Sequence, residues 1–168
     1  SDWGGKKIIR CIVDGKVPCR LCLYVKDDIQ VTVLPYDGEL PAITVHTAQS
    51  TFGFVYGEFT SNAYTKDSAR LSDKQRTNRI LDYLSWLIQF ARSSVHIMGD
   101  FNVDFLQNST SKLRLQSWCA DNYFTQLINE PTREYTGING KSSSTYIDLC
   151  ISRSHKKLNT NVISTPLS

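Results

Sequence analysis

Val95-His96-Ile97-Met98-Gly99-Asp100-Phe101-Asn102-Val103-Asp104 is the stretch whose reading decides the fold of this chain. A short apolar run with β-branched residues, too short for a typical helix, leads straight into Gly-Asp. That is the pattern of a buried strand ending where its polar residues begin. If the backbone stays extended through the end of the strand, Asp100 and Asn102 point to one side while Phe101 and Val103 pack the other way. A carboxylate and a neutral amide then share one small space. The pair suits hydrolysis of a phosphate ester: the carboxylate holds or deprotonates a water, and the amide donates to a phosphoryl oxygen as charge builds there. The same Gly, Asp and Asn also suit a plain strand-to-loop turn, so the chemistry needs support from elsewhere in the chain.

Working outward, residues 72–75 have the Ser-x-x-Gln spacing of a capping box. Ile80, Leu84, Leu87, Ile88 and Ala91 follow as one helical stripe, which predicts an amphipathic helix covering a sheet. On the far side of the central strand, Ser111 is placed to cap a second helix, with Leu115, Trp118 and Cys119 facing one way and the end near Asn122. Upstream, residues 7–13, 21–25, 29–34, 42–47 and 52–59 are rich in Val, Ile, Thr and aromatics. They are parted by turn signals such as Asp14-Gly15 and Tyr36-Asp37-Gly38, and predict successive strands. Downstream, Pro131-Thr132-Arg133 and a loop over residues 137–144 form a polar connection, residues 145–152 a strand and residues 159–165 a closing strand. Within residues 145–152 the alternation puts Ile147, Leu149 and Ile151 on one face and Tyr146, Asp148 and Cys150 on the other. A carboxylate inside such a strand costs free energy unless something donates to it, so Asp148 requires a partner such as an imidazole or a hydroxyl. These elements describe an α/β domain with helices packed outside sheets.

Composition narrows the class. The 168 residues suffice for one domain with a real core, and the formal charge of +3 permits a nucleic-acid partner without demanding one. No apolar run approaches transmembrane length. Five cysteines, an odd number, argue against a disulfide framework and for free thiols in a reducing, intracellular setting. Cys19 and Cys22 have C-x-x-C spacing but lack a second pair or a nearby His, so packed thiols on a strand explain them better than zinc. His46, His96 and His155 are each explained as packed or solvent-facing imidazoles, with His96 sharing strand parity with Asp100. Arg70, Lys74, Arg76 and Arg79 form either a phosphate-binding stripe or the exposed charge common on surface helices.

Three motifs in order, Gly99-Asp100-Phe101-Asn102, Glu130-Pro131-Thr132-Arg133 and Ser143-Ser144-Thr145-Tyr146-Ile147-Asp148-Leu149, give the chain a family likeness. It resembles the endonuclease/exonuclease/phosphatase superfamily, and within it the apurinic-endonuclease-like domain of non-LTR retrotransposon polyproteins. The resemblance extends from about residue 23 to residue 168 and is strongest over residues 95–151. It implies a two-layer β-sandwich flanked by helices, a four-layer α/β/β/α arrangement, and a single domain over residues 1–168 that is incomplete at both ends. By the same likeness Asp100 and Asn102 contact the attacking water and the scissile phosphate. Tyr56 touches the phosphate, Asp148 orients a histidine, and Thr132 and Arg133 contact substrate. An Asp held against imidazole fixes its tautomer and stabilises the cation.

The implied activity is metal-dependent phosphodiester hydrolysis. DNA is nicked with Mg²⁺ or Mn²⁺, in the nucleus or cytoplasm, by a domain continuous with a reverse transcriptase. The family's amino-terminal Asn and Glu motifs and its closing Ser-Asp-His have no counterpart here. The metal-binding Glu is therefore expected upstream and the catalytic His downstream of these residues, and the isolated chain is expected to nick DNA poorly. Gly57-Glu58 stands where the family has Arg-Pro after the tyrosine. Phosphatase or sphingomyelinase activity of the same superfamily, or a non-catalytic nucleic-acid-binding remnant, are the alternatives these departures leave open.

Overall fold

A computed structural model of the chain describes residues 6–10, 21–58, 70–136, 140–154 and 158–163. The chain runs β1 (Lys6–Arg10), β2 (Cys22–Lys26), β3 (Thr32–Leu34), β4 (Ala42–His46), β5 (Ser50–Tyr56), α1 (Asp73–Gln89) and β6 (Ser94–Asp100). It continues with α2 (Thr110–Asp121), β7 (Thr125–Gln126), β8 (Arg133–Thr136), β9 (Ser142–Thr145) and β10 (Asp148–Arg153). Six strands form one sheet in the order β3-β4-β5-β6-β10-β7, with β1-β2 and β8-β9 as separate two-stranded ribbons. Only β5 and β6 pair in parallel within that sheet, and α1 supplies the crossover that a parallel pair needs. The result is a mixed α/β architecture in which a multi-stranded sheet is flanked by helices.

Strand alternation sorts the two faces. Val55, Val95, Ile97, Leu149 and Ile151 turn toward the helices and meet Ile80, Tyr83, Leu84 and Leu87 of α1 and Leu115 and Cys119 of α2 in the main core. On the opposite face Ile43 and Val45, with Phe52 and Phe54 beside them, pack against Ile9 and Val25 of the β1-β2 ribbon. Burying each such aliphatic side chain contributes about 1.5–3 kcal/mol, so both layers hold to the sheet by apolar contact. Among the described residues this ribbon covers the β4-β5 part of the sheet's second face.

α1 begins as its sequence predicts. The Ser72 N–H donates to Gln75 Oε1 at 2.9 Å and the Gln75 N–H to Ser72 Oγ at 3.3 Å, a complete capping box. The helix ends at Gln89, so Ala91 of the expected stripe lies beyond it. For α2 the cap is Ser109 rather than the expected Ser111: Ser109 Oγ accepts from the Lys112 N–H at 3.1 Å. Ser111 lies inside the helix, where its hydroxyl accepts from Thr77 Oγ1 of α1 at 2.7 Å.

Three further expectations change. The segment after Pro131 is a β-hairpin, β8-β9, and not simply a polar loop. The expected strand over residues 145–152 is interrupted, since Tyr146 and Ile147 leave the ladder between β9 and β10. Tyr146 thereby reaches the helix-side core with Leu149 and Ile151, against the expected parity. No strand occupies residues 158–163, where a closing strand was expected; residues 164 and 165 lie outside the described residues. Cys22, Cys119 and Cys150 are free thiols, and Cys19 of the C-x-x-C spacing lies outside the described residues. Among the described residues no helix is long and apolar enough to cross a membrane.

Candidate active site

Register gathers the carboxylates. Asp100 closes β6, Tyr56 is its partner at the end of β5, and Asp148 is its partner at the start of β10. Directly paired residues face the same side of a sheet. Tyr56, Asp100 and Asp148 therefore form a row across three adjacent strands, on the face opposite the helices. Gly99, one residue earlier, has φ 141°, and a Cβ there would lie 2.1 Å from the Val55 carbonyl oxygen. Only glycine lets β6 run this close to β5 and still deliver Asp100 to the row.

The backbone does not stay extended past Asp100. Asn102 has φ 50°, a left-handed conformation that Asn tolerates better than most residues. Its N–H donates to Asp100 Oδ1 at 2.9 Å, while its buried side-chain amide donates to the Gly57 carbonyl. Asn102 thus stays beside Asp100 by a tight turn rather than by strand parity, and part of its amide is already committed. Gly57 is the residue that permits this. Its N–H donates to the Asp100 carbonyl at 2.6 Å, and a Cβ on it would lie 2.5 Å from the Phe101 carbonyl oxygen. The departure from Arg-Pro after Tyr56 is therefore a site of close backbone approach.

Asp104, which sequence reasoning did not single out, fastens the loop. Its Oδ1 accepts from the Leu106 and Tyr146 N–H groups, each at 3.0 Å. Phe101 and Phe105 N–H groups donate to the Ile147 and Tyr146 carbonyls at 2.9 Å. An Asp accepting from a backbone N–H two residues on is a turn signature visible in sequence; the link to Tyr146 is not.

The partner expected for Asp148 is neither imidazole nor hydroxyl. Arg133 Nη2 lies 2.6 Å from Asp100 Oδ2, and Arg133 Nε lies 3.3 Å from Asp148 Oδ2. One guanidinium spans both carboxylates. Thr132 places it: the Thr132 N–H donates to the Thr145 carbonyl at 3.0 Å, and its hydroxyl accepts from the Asp148 N–H at 3.2 Å. Burial pushes the Asp100 carboxyl above the ordinary aspartate range, against the pull of the Asn102 N–H and of Arg133, with Asp148 adding to the rise. Burial alone would lower the Arg133 guanidinium, but its bond to Asp148 and the charges of Asp100 and Asp148 carry it above its ordinary value. At 2.6 Å from a permanently charged guanidinium, Asp100 is a carboxylate at neutral pH.

The other candidates lie elsewhere. His96 Nδ1 is 2.9 Å from Ser152 Oγ and its ring sits against Phe52, four residues from Asp100 along β6. That is roughly 13 Å at the rise of a strand, too far to serve Asp148. His46 is half-buried in β4, and His155 lies outside the described residues. The basic stripe is divided: Arg76 pairs with Asp73 at 2.5 Å and Arg79 with Glu39 at 2.8 Å, while Arg70 and Lys74 are exposed. A cavity of about 190 Å³ opens beside Asn102 and Asp104, lined also by Arg76, Thr77 and Ser111.

The chain matches no family model and no curated protein. Among solved structures it matches the endonuclease domain of TRAS1, a telomere-specific non-LTR retrotransposon, with a TM-score of 0.54. The match covers 89% of this chain and 68% of that one at 14% identity. The likeness is one of fold. Among the described residues no group of three or more His, Cys, Asp or Glu side chains could hold a metal ion. The carboxylate pair already faces a guanidinium, whereas Mg²⁺ prefers carboxylate and water oxygens in a near-octahedral shell. The described donors do not fit that ion.

Proposed function

We propose that the chain is a phosphodiester hydrolase of the endonuclease/exonuclease/phosphatase kind, and specifically the DNA-nicking domain of a retrotransposon-type polyprotein. The observation that carries this reading is the row of Tyr56, Asp100 and Asp148 on three adjacent strands, crossed by Arg133. The fold likeness to a retrotransposon endonuclease domain supports it. The four-layer α/β/β/α arrangement belongs to the same proposal, and the packing of the β1-β2 ribbon on the face away from the helices supports it.

In this reading Asp100 is the base. Each of its oxygens accepts one bond, from the Asn102 N–H or from Arg133, and each keeps a lone pair for a water proton. A carboxyl lifted by burial is better matched to taking a proton near neutral pH. Arg133, the Asn102 amide and the Tyr56 hydroxyl are the groups proposed to turn from their present partners to phosphoryl oxygens, with Thr132 placing Arg133. Asp148 keeps the guanidinium oriented. The Mg²⁺ or Mn²⁺ that the resemblance implies would supply charge neutralisation, but the described donors do not fit it. The free thiols support an intracellular reducing compartment, nucleus or cytoplasm.

The test is nicking of supercoiled plasmid, with and without EDTA, by the chain and by the longest reading frame that contains it. Asp100→Asn keeps the shape and removes the base, so nicking falls ~10²–10⁴-fold. If Asp100→Asn and Asp148→Asn both nick as fast as the parent, the site is elsewhere. One observation favours a second reading, a nucleic-acid-binding remnant without catalysis: both carboxylates and the Asn102 amide are engaged with protein groups. Retarded DNA mobility with no nicking in either context would establish it.

A further inference from the structure

The geometry points to Arg133 as the resident cation of the Asp100–Asp148 pair, holding the place a divalent ion would otherwise take between the two carboxylates. This role for Arg133 holds whether or not the chain cuts DNA. Asp100 and Asp148 are directly opposed on antiparallel strands and face the same side, so their charges repel at close range. Two ionised carboxylates are stable there only with positive charge between them. Arg133 supplies it with a single planar group, Nη2 at 2.6 Å from Asp100 Oδ2, Nε at 3.3 Å from Asp148 Oδ2 and Nη2 at 3.5 Å from Asp148 Oδ1.

The contact is built by the backbone. Arg133 pairs with Thr145 in the β8-β9 ladder. The preceding residue, Thr132, accepts from the Ile147 and Asp148 N–H groups at 3.4 and 3.2 Å, so the base of the hairpin is tied to the first residue of β10. Asp148 and the residue that neutralises it are thus fixed to one another through a single hydroxyl. Side-chain exposure is 13% at Asp100, 36% at Asp148 and 39% at Arg133, so the ion pair is tightest at its deepest member. Among the described residues, a divalent ion entering from solvent meets a guanidinium at close range and two carboxylates. A lysine keeps the charge but lacks the fork that reaches both carboxylates at once.

The experiment is a Mn²⁺ titration read by paramagnetic broadening of backbone amide resonances, which locates the ion without reference to activity. In the parent, Gly99, Asn102 and Leu149 broaden no earlier than amides beside the exposed carboxylates Asp82 and Asp121. In Arg133→Met they broaden first, at a Mn²⁺ concentration roughly ten-fold or more below that of the parent, equivalent to at least about 1.4 kcal/mol. Arg133→Lys falls between the parent and Arg133→Met, because the charge is retained but the fork that spans both carboxylates is lost. Identical profiles for the parent and Arg133→Met overturn the proposal, since a purely structural arginine would give that result. Where Arg133→Met does not fold, the parent titration and Arg133→Gln decide: selective early broadening at Gly99 and Leu149 in the parent overturns it, and its appearance only in Arg133→Gln supports it.

Discussion

At the scale of single residues, Asn102 is held by two separable effects, its φ of 50° and the bond from its amide to the Gly57 carbonyl. Asn102→Gly keeps the backbone conformation and removes the bond. Asn102→Ala removes the bond and leaves a Cβ in the left-handed region without the side-chain amide that lets Asn tolerate it. The expected order of stability in urea unfolding is parent, Gly variant, Ala variant. The first step is about 1–3 kcal/mol for a buried carbonyl left without its donor. Equal midpoints for the two variants would show that the backbone conformation costs nothing there. The motif Gly99-Asp100-Phe101-Asn102 was legible as a strand end carrying a carboxylate and an amide, and both do sit at the end of β6. The turn that joins them was not, because alternation holds only while the backbone is extended. Gly57 was legible only as a departure from a family pattern, since a glycine that admits a neighbouring carbonyl leaves no periodic trace.

Between elements, α1 meets the sheet through a buried polar contact inside an apolar layer. Tyr83 is fully buried, its hydroxyl lies 2.7 Å from Thr44 Oγ1, and a Cβ on Gly53 would lie 2.5 Å from that hydroxyl. Tyr83→Phe leaves the Thr44 hydroxyl without this partner and is expected to cost about 1–3 kcal/mol. Adding Thr44→Val removes the stranded group, so the double variant should be more stable than the sum of the single losses predicts. A strictly additive thermal or urea cycle would show that the two hydroxyls do not interact. α1 was readable because its cap and stripe are local patterns, and Ser72 and Gln75 need nothing from the rest of the chain. α2 was misread at its start because Ser109 and Ser111 are equally good caps in sequence. The choice is made by Thr77 on another helix, which engages the Ser111 hydroxyl. The β8-β9 hairpin was read as a loop for a similar reason: its serines and exposed side chains carry little apolar alternation, and its position is set by Thr132 against β10.

Taken as a whole, the molecule lowers the proton affinity of two imidazoles, one buried in β6 and one half-buried in β4. Burial lowers His96, and burial with the nearby Arg92 charge lowers His46, both from the ordinary value of 6.5. A lowered folded value means that the unfolded chain takes up the proton first. Stability from these groups is therefore present above about pH 6.5 and lost as pH falls through the lowered values. Urea midpoints should decline over that range in the parent and decline less in His96→Gln, whereas a parent that gains stability as pH falls through it would contradict the reading. The layering itself was legible from the alternation of Val, Ile and Leu, but the order of strands was not, because pairing between strands as distant in sequence as β6 and β10 is decided by packing rather than by local pattern. That order has a consequence for synthesis. β10 lies between β6 and β7, so the edge of β6 that carries Asp100 stays unpaired until residues 148–153 arrive. A ribosome adds ~5–20 residues per second, which leaves that edge open for several seconds after β6 is made. During this interval the nascent chain exposes an apolar strand to its neighbours, and delayed elongation between β6 and β10 would lower the yield of folded protein without changing a single side chain.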